Sequence, residues 1–148
     1  MSDTPNRKRL RLEYWDYSDP GAYFITICTQ DKKPLLGSVQ MNGDEAEVHL
    51  TASGVIAEKA LLKMPGIDQF IVMPNHIHFI VILDEGSKAD GRSLPQIVRA
   101  YKYAVSKEIG DSIWQRSYYE HVIRNRRDYL SHVRYILENP VRWVYDKY

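Results

Sequence analysis

A chain of 148 residues that is 44% apolar and 26% charged has the length of one domain and an ordinary globular composition, able to bury about two thirds of its unfolded surface. Its apolar runs fall well short of the ~20 residues a membrane span requires. The basic amino terminus has no apolar stretch behind it, so the expectation is a cytoplasmic protein without a secretory signal. The net charge of +1 conceals a polarity: residues 1–12 carry four Lys/Arg against one Asp, residues 13–87 four against eleven acids, and residues 88–148 twelve against seven. Basic charge at both ends suits either solvated faces or an anionic partner such as nucleic acid.

Residues 1–20 form a basic arm that contains Arg7, Lys8, Arg9 and Arg11. A strand is predicted at Ala22–Thr29, where Cys28 sits in an apolar run and reads as a buried, inert thiol. A short hairpin follows from about Ser38 to Leu50 around "NGDE", then a helix from Thr51 to Met64 stopped by Pro65-Gly66. Two more strands, Asp68–Met73 and His76–Leu83, flank Pro74-Asn75, a pair suited to the centre of a tight turn. Residues 84–93, "DEGSKADGRS", are the one clear flexible loop. Beyond it, Ser93 and Gln96 have the spacing of a capping box and Gly110 stands at the expected helix stop. "SYYEHVIR" alternates as a strand, and "NRRDYLSHVRYILENP" reads as a final helix started by Asn125 and Asp128 and stopped by Pro140. This order predicts an α+β fold of ferredoxin-like (RRM-like) type, an antiparallel sheet with helices on one face.

Two features carry chemistry. In "VMPNHIHFIVIL", His76 and His78 are two residues apart on an apolar strand, so both imidazoles reach the same face and can converge on one ion while Ile77 enters the other side. Alone, such a pair reads more readily as part of a solvated sheet face. On the final helix, at ~100° per residue, Tyr135 lies opposite an apolar arc of Tyr129, Leu130, Val133, Ile136 and Leu137 and beside Asp128, His132 and Asn139. Asn139, one turn after Tyr135, offers an amide oxygen of the kind a hard divalent cation accepts.

"MPNHIHFIV" resembles the histidine–hydrophobe–histidine signature of the HUH endonuclease superfamily. "WQRSYYEHVIRNRRDYLSHVRYILENPV" resembles the carboxy-terminal region of its single-tyrosine transposases, among which the REP-associated tyrosine transposases are the nearest match. The resemblance runs from Ala22 to about Trp143 and implies a single transposase domain over residues 1–148, with His76 and His78 as metal ligands and Tyr135 as nucleophile. Asn139 stands where the family places a further ligand. The resemblance also implies Mg²⁺ or Mn²⁺, single-stranded or hairpin DNA as partner, and cleavage with strand transfer through a 5′-phosphotyrosine. The longer tail of some relatives is not expected, and a homodimer is compatible with the pattern, although no residue decides it.

Candidate phosphate contacts are Arg7, Lys8, Arg9, Arg11, Lys102, Arg124, Arg126 and Arg127, with Trp114, Tyr118 and Tyr119 available for base stacking or core packing. His121 and His132 have either supporting or structural roles. Two other classes explain part of the pattern. A non-catalytic RRM-like module for single-stranded nucleic acid leaves the histidines and Tyr135 unexplained, and a phosphoesterase using water leaves the phenol unexplained. A histidine-triad hydrolase is disfavoured because Ile80 stands where its third histidine belongs.

Overall fold

The computed structural model of the chain describes residues 21–83 and 92–146. The strands are β1 (Gly21–Cys28), β2 (Gly37–Asn42), β3 (Glu45–Leu50), β4 (Ile67–Met73), β5 (His76–Leu83) and β6 (Tyr119–Ile123). The helices are α1 (Ala52–Leu62), α2 (Leu94–Ile109) and α3 (Arg126–Asp146). Four strands form an antiparallel sheet in the order β4-β5-β1-β6, and β2 and β3 make a separate hairpin. The fold is thus α+β with an antiparallel sheet. The basic arm with Arg7, Lys8, Arg9 and Arg11, and most of the expected loop, lie outside the described residues.

Local signals set the element ends. Thr51 caps α1 by accepting a bond from the Gly54 amide at 3.1 Å, and Ser93 and Gln96 exchange both bonds of the capping box at the start of α2. Gly110 closes α2 at φ 90°, a left-handed conformation that glycine adopts without a Cβ clash. Pro74-Asn75 links β4 to β5 with Met73 opposite His76, so the turn fixes which residue of β5 faces which side.

The central strands are buried on both faces. Ile25, Ile27, Ile77, Phe79 and Val81 point to one side, where α1 and α2 cover them with Ala57, Leu61, Val98, Tyr101 and Val105. Each large side chain buried there contributes about 1.5–3 kcal/mol. Ala22, Phe24 and Ile80 point to the other side and meet Ile136 of α3 in a smaller cluster. The expectation of helices on one face therefore holds for α1 and α2 only. Because β1 and β5 are apolar at odd and even positions alike, they call for cover on both sides.

Helix α3 corrects the sequence reading twice. It continues through Pro140 to Asp146 instead of stopping there. Proline removes one ladder hydrogen bond and crowds the carbonyl four residues back. In this turn the Asn139 side-chain amide donates to the Tyr135 carbonyl at 2.9 Å. The second correction concerns its faces. Leu130 and Leu137, assigned to the apolar arc, are 44% and 70% exposed, while Tyr135 packs toward the sheet beside Phe24. The helix turns a mixed polar and apolar side inward because the sheet surface beneath it carries the two histidines.

Candidate active site

The alternation of β5 sends His76 and His78 to the α3 side, next to Thr26 and Phe24 of β1. Both histidines are buried, as is Asn139, which is 0% exposed. The rings of His76 and His78 lie 4.6 Å apart between centroids. The Tyr135 ring is 5.2 Å from His78 and 6.1 Å from Phe24, with the Arg142 guanidinium 5.5 Å from its centre. His76, His78, Tyr135 and Asn139 are thus brought to one place from two elements about sixty residues apart in sequence.

The hydrogen bonds around this group leave little freedom in its polarity. The Asn139 amide nitrogen donates to the Tyr135 carbonyl at 2.9 Å and the Asn75 amide nitrogen to the Lys32 carbonyl at 3.3 Å, so both side-chain oxygens turn toward His76. Asn75 Oδ1 lies 2.7 Å from His76 Nδ1, and Asn139 Oδ1 lies 3.3 Å from His76 Nε2. A neutral imidazole has one N–H to give, and the shorter contact takes it. His76 Nε2 is then left with a lone pair facing the Asn139 oxygen. Thr26 Oγ1 sits 2.8 Å from His78 Nδ1, while His78 Nε2 is buried with no hydrogen-bond partner among the described residues. With Nδ1–H given to Thr26, that nitrogen also presents a lone pair.

Burial keeps both imidazoles neutral. It depresses His76 to about 4, with the Asn139 contact opposing the shift and the charge of Lys32 adding to it. It depresses His78 to about 3, with the neighbouring His76 adding to the effect and Asn139 opposing it. Neutral imidazole is the form that ligates metals. Two ring nitrogens and an amide oxygen therefore fit a divalent cation, and Asn75 and Thr26 hold the rings in the orientation such ligation needs.

Beside this group, His121, Asp128 and His132 form a second cluster. Asp128 accepts from His121 Nε2 at 2.8 Å and lies 3.1 Å from His132 Nδ1. His132 Nδ1 is also 2.8 Å from the Asp128 carbonyl. Burial raises the Asp128 carboxyl, but the His121 bond and the Arg124 amide outweigh it and hold the group below its usual range. These three side chains are close enough to share a metal, yet their polar atoms already bond one another, and Asp128 lies in the first turn of α3, where the helix dipole disfavours a cation. The cluster ties β6 to α3 instead. His132 also lines a cavity of about 440 Å³ with Phe24, His78, Tyr119 and Tyr135.

The remaining candidates divide between the two faces. Trp114 is buried in the core beside Tyr101. With Lys102 and Tyr118 it lines a larger cavity of about 760 Å³ against α2, which also takes in Arg99 and Arg116. The Lys102 ammonium is engaged there by the carbonyls of Gln115 and Arg116 at 2.7 and 3.0 Å. That cavity is bigger but holds no group of metal-ligating side chains among the described residues, so the chemistry is read at the histidine pair. Tyr119 lies on the opposite side with Tyr135, while Arg124, Arg126 and Arg127 are exposed where α3 begins. Sequence reading missed Thr26, Lys32 and the orienting role of Asn75, since strand pairing and a tight turn bring them to the histidines.

A strand-borne histidine pair faces a tyrosine on a late helix above an antiparallel sheet, and comparison with known proteins sets this arrangement beside the tyrosine transposases. No family model matches the chain. It is 33% identical to an uncharacterized protein of Haemophilus influenzae over 96% of this chain and 92% of the relative. It is 29% identical to the REP-associated tyrosine transposase of Escherichia coli K12, over 86% of this chain and 72% of that one. A solved structure of a REP-associated tyrosine transposase bound to a REP hairpin superposes with a TM-score of 0.65 at 29% identity, covering 88% of this chain and 73% of that one. The chain thus resembles the REP-associated tyrosine transposases in both sequence and fold.

Proposed function

We propose that the chain is a transposase that cleaves and rejoins single-stranded DNA near hairpins, using a divalent metal and a 5′-phosphotyrosine intermediate on Tyr135. The observation that carries this reading is the gathering of the His76 and His78 rings and the Asn139 oxygen beside the Tyr135 ring. Similarity to REP-associated tyrosine transposases and the hairpin bound to a solved relative support DNA as the partner.

His76, His78 and Asn139 would hold a Mg²⁺ or Mn²⁺, which would supply Lewis-acid polarisation of a phosphate oxygen. The chain's own residues do the rest. Asn75 and Thr26 fix the imidazole orientation, and Phe24, His78 and Arg142 hold the Tyr135 ring. The Tyr135 oxygen attacks phosphorus, giving up its proton to solvent. The P–O3′ bond breaks, and the 3′ oxygen takes up a proton as it leaves. The phosphoester energy is kept in the adduct, so a DNA 3′ hydroxyl reverses the step and rejoins strands without a nucleotide cofactor. Arg126 and Arg127 oppose the dipole of the helix turn they occupy, which favours a role in meeting phosphates, together with Arg124 and the basic arm of Arg7, Lys8, Arg9 and Arg11. The cavity with Lys102, Trp114 and Tyr118 offers aromatic and cationic surface for unpaired nucleotides.

The test is incubation of a labelled single-stranded hairpin oligonucleotide with the protein and Mn²⁺, read on a denaturing gel. A covalent adduct that disappears in Tyr135→Phe is expected. Cleavage that survives Tyr135→Phe assigns the nucleophile to water, and binding without cleavage by the wild type assigns the chain to non-catalytic binding modules.

A further inference from the structure

Between β1 and β2 the chain makes a strap, residues 29–33, with an unusual backbone. Asp31 and Lys32 hold φ values of 54° and 52°, the non-glycine residues with positive φ among those described. This left-handed conformation is costly for any residue with a Cβ, and glycine would remove the cost. The strap is over-determined by its bonds. Lys32 donates its amide to the Thr29 carbonyl at 3.1 Å and accepts from the Asn75 side chain at 3.3 Å. Gln30 donates to the Ile113 carbonyl at 2.8 Å, and Thr29 Oγ1 lies within hydrogen-bond distance of the carbonyls of Lys33 and Asn75. Asn75 is the residue that orients His76, so one side chain fixes both the imidazole and the strap.

A strained conformation held this firmly marks a place where side-chain position matters. Lys32 lines a cavity of about 210 Å³ together with His76 and His78, and it is the one cation among the described residues lining it. Its charge is felt by His76 and by the Cys28 thiol, and no carboxylate among the described residues lines the same cavity. The histidine pair thus has Tyr135 beside His78 and Lys32 beside His76. In a displacement at phosphorus the attacking and leaving oxygens stand on opposite sides.

We propose that Lys32 is a catalytic residue that binds the leaving side of the scissile phosphodiester, its ammonium donating a hydrogen bond to the 3′ oxygen. This rests on the proposed Tyr135 cleavage. As the bond from the Tyr135 oxygen to phosphorus forms and the P–O3′ bond breaks, the electron pair settles on O3′. The ammonium stabilises that charge and stays protonated, and the proton that completes the 3′ hydroxyl comes from solvent. A preorganised donor at a developing oxyanion is worth roughly 10²–10³-fold in rate.

The experiment measures single-turnover adduct formation by the full chain with Mn²⁺ on two hairpin oligonucleotides. One has the ordinary 3′ oxygen at the cleaved junction, the other a bridging 3′ sulfur, a leaving group that needs no stabilisation. Lys32→Ala is expected to slow the oxygen substrate about 10²-fold and to act on the sulfur substrate within a few-fold of wild type, with Lys32→Arg between wild type and Lys32→Ala. Lys32→Gly is expected to melt above Lys32→Ala, because glycine relieves the left-handed backbone, and yet to show the same rate loss. An unchanged rate in Lys32→Ala on the oxygen substrate, or equal loss on both substrates, overturns the role of Lys32 while leaving the Tyr135 reading intact. No adduct from the wild type on either substrate overturns both.

Discussion

The two faces of strand β5 differ in polarity although both are buried. Ile77, Phe79 and Val81 enter a dry core sealed by α1 and α2. His76 and His78, interleaved with them, enter a buried but polar space beneath α3. The same backbone thus serves stability on one side and, in the proposed reaction, chemistry on the other, and the apolar face provides the rigidity that the polar face needs to hold ring nitrogens in place. Substitutions on the two faces should therefore have opposite signatures, and each prediction below probes that division.

The largest effect is expected on the polar face. His78→Phe should lower the rate of hairpin cleavage at least ~10²-fold with little change in melting temperature, because it replaces a buried ring whose Nε2 has no hydrogen-bond partner among the described residues. Loss of folding together with activity, seen by circular dichroism and a cleavage assay, would contradict the division. On the apolar face, Phe79→Ala should cost about 3–5 kcal/mol of stability in denaturant titration, while protein that remains folded keeps its affinity for Mn²⁺.

The pH dependence follows from the same burial. His76 and His78 titrate at about 4 and about 3 in the folded protein, against 6.5 for an ordinary histidine. Between these values the unfolded chain binds more protons than the folded one, so metal-free stability falls as pH drops from about 6.5 toward 4. Replacing both histidines by phenylalanine should flatten that slope in urea titrations at pH 7 and pH 5, and an undiminished slope would place its origin elsewhere. A smaller loss, about 1–2 kcal/mol, is expected for Tyr129→Phe, which removes the 2.5 Å bond from Tyr129 to Asp68 that joins α3 to β4. The smallest is Ser93→Ala, about 1 kcal/mol from the α2 cap, with cleavage unchanged because the cap is remote from the histidines.

Much of this division was legible in the sequence, and the limits of what was legible have physical causes. Caps, turns and the alternation of β5 are local, so Thr51, Ser93, Gly110 and Pro74-Asn75 marked their elements and the spacing of His76 and His78 gave their shared face. The inward side of α3 was misread because hydrophobicity alone assigns Leu130 and Leu137 to a core, whereas the sheet beneath the helix presents imidazoles and accepts Tyr135 and Asn139. Pro140 was read as a stop because local propensity disfavours it within a helix. The partners Thr26 and Lys32 depend on strand pairing and on a strap whose left-handed backbone is invisible in residue types, and His121 meets Asp128 only when β6 and α3 are packed together.

The most direct measurement is Mn²⁺ binding to the full chain, followed by electron paramagnetic resonance, in the wild type, His78→Phe, Asn139→Ala and Asp128→Ala. One site held by His76, His78 and Asn139 predicts binding that is lost in His78→Phe, weakened in Asn139→Ala and kept in Asp128→Ala. Binding that survives in His78→Phe and disappears in Asp128→Ala would place the metal at His121, Asp128 and His132 and contradict the account.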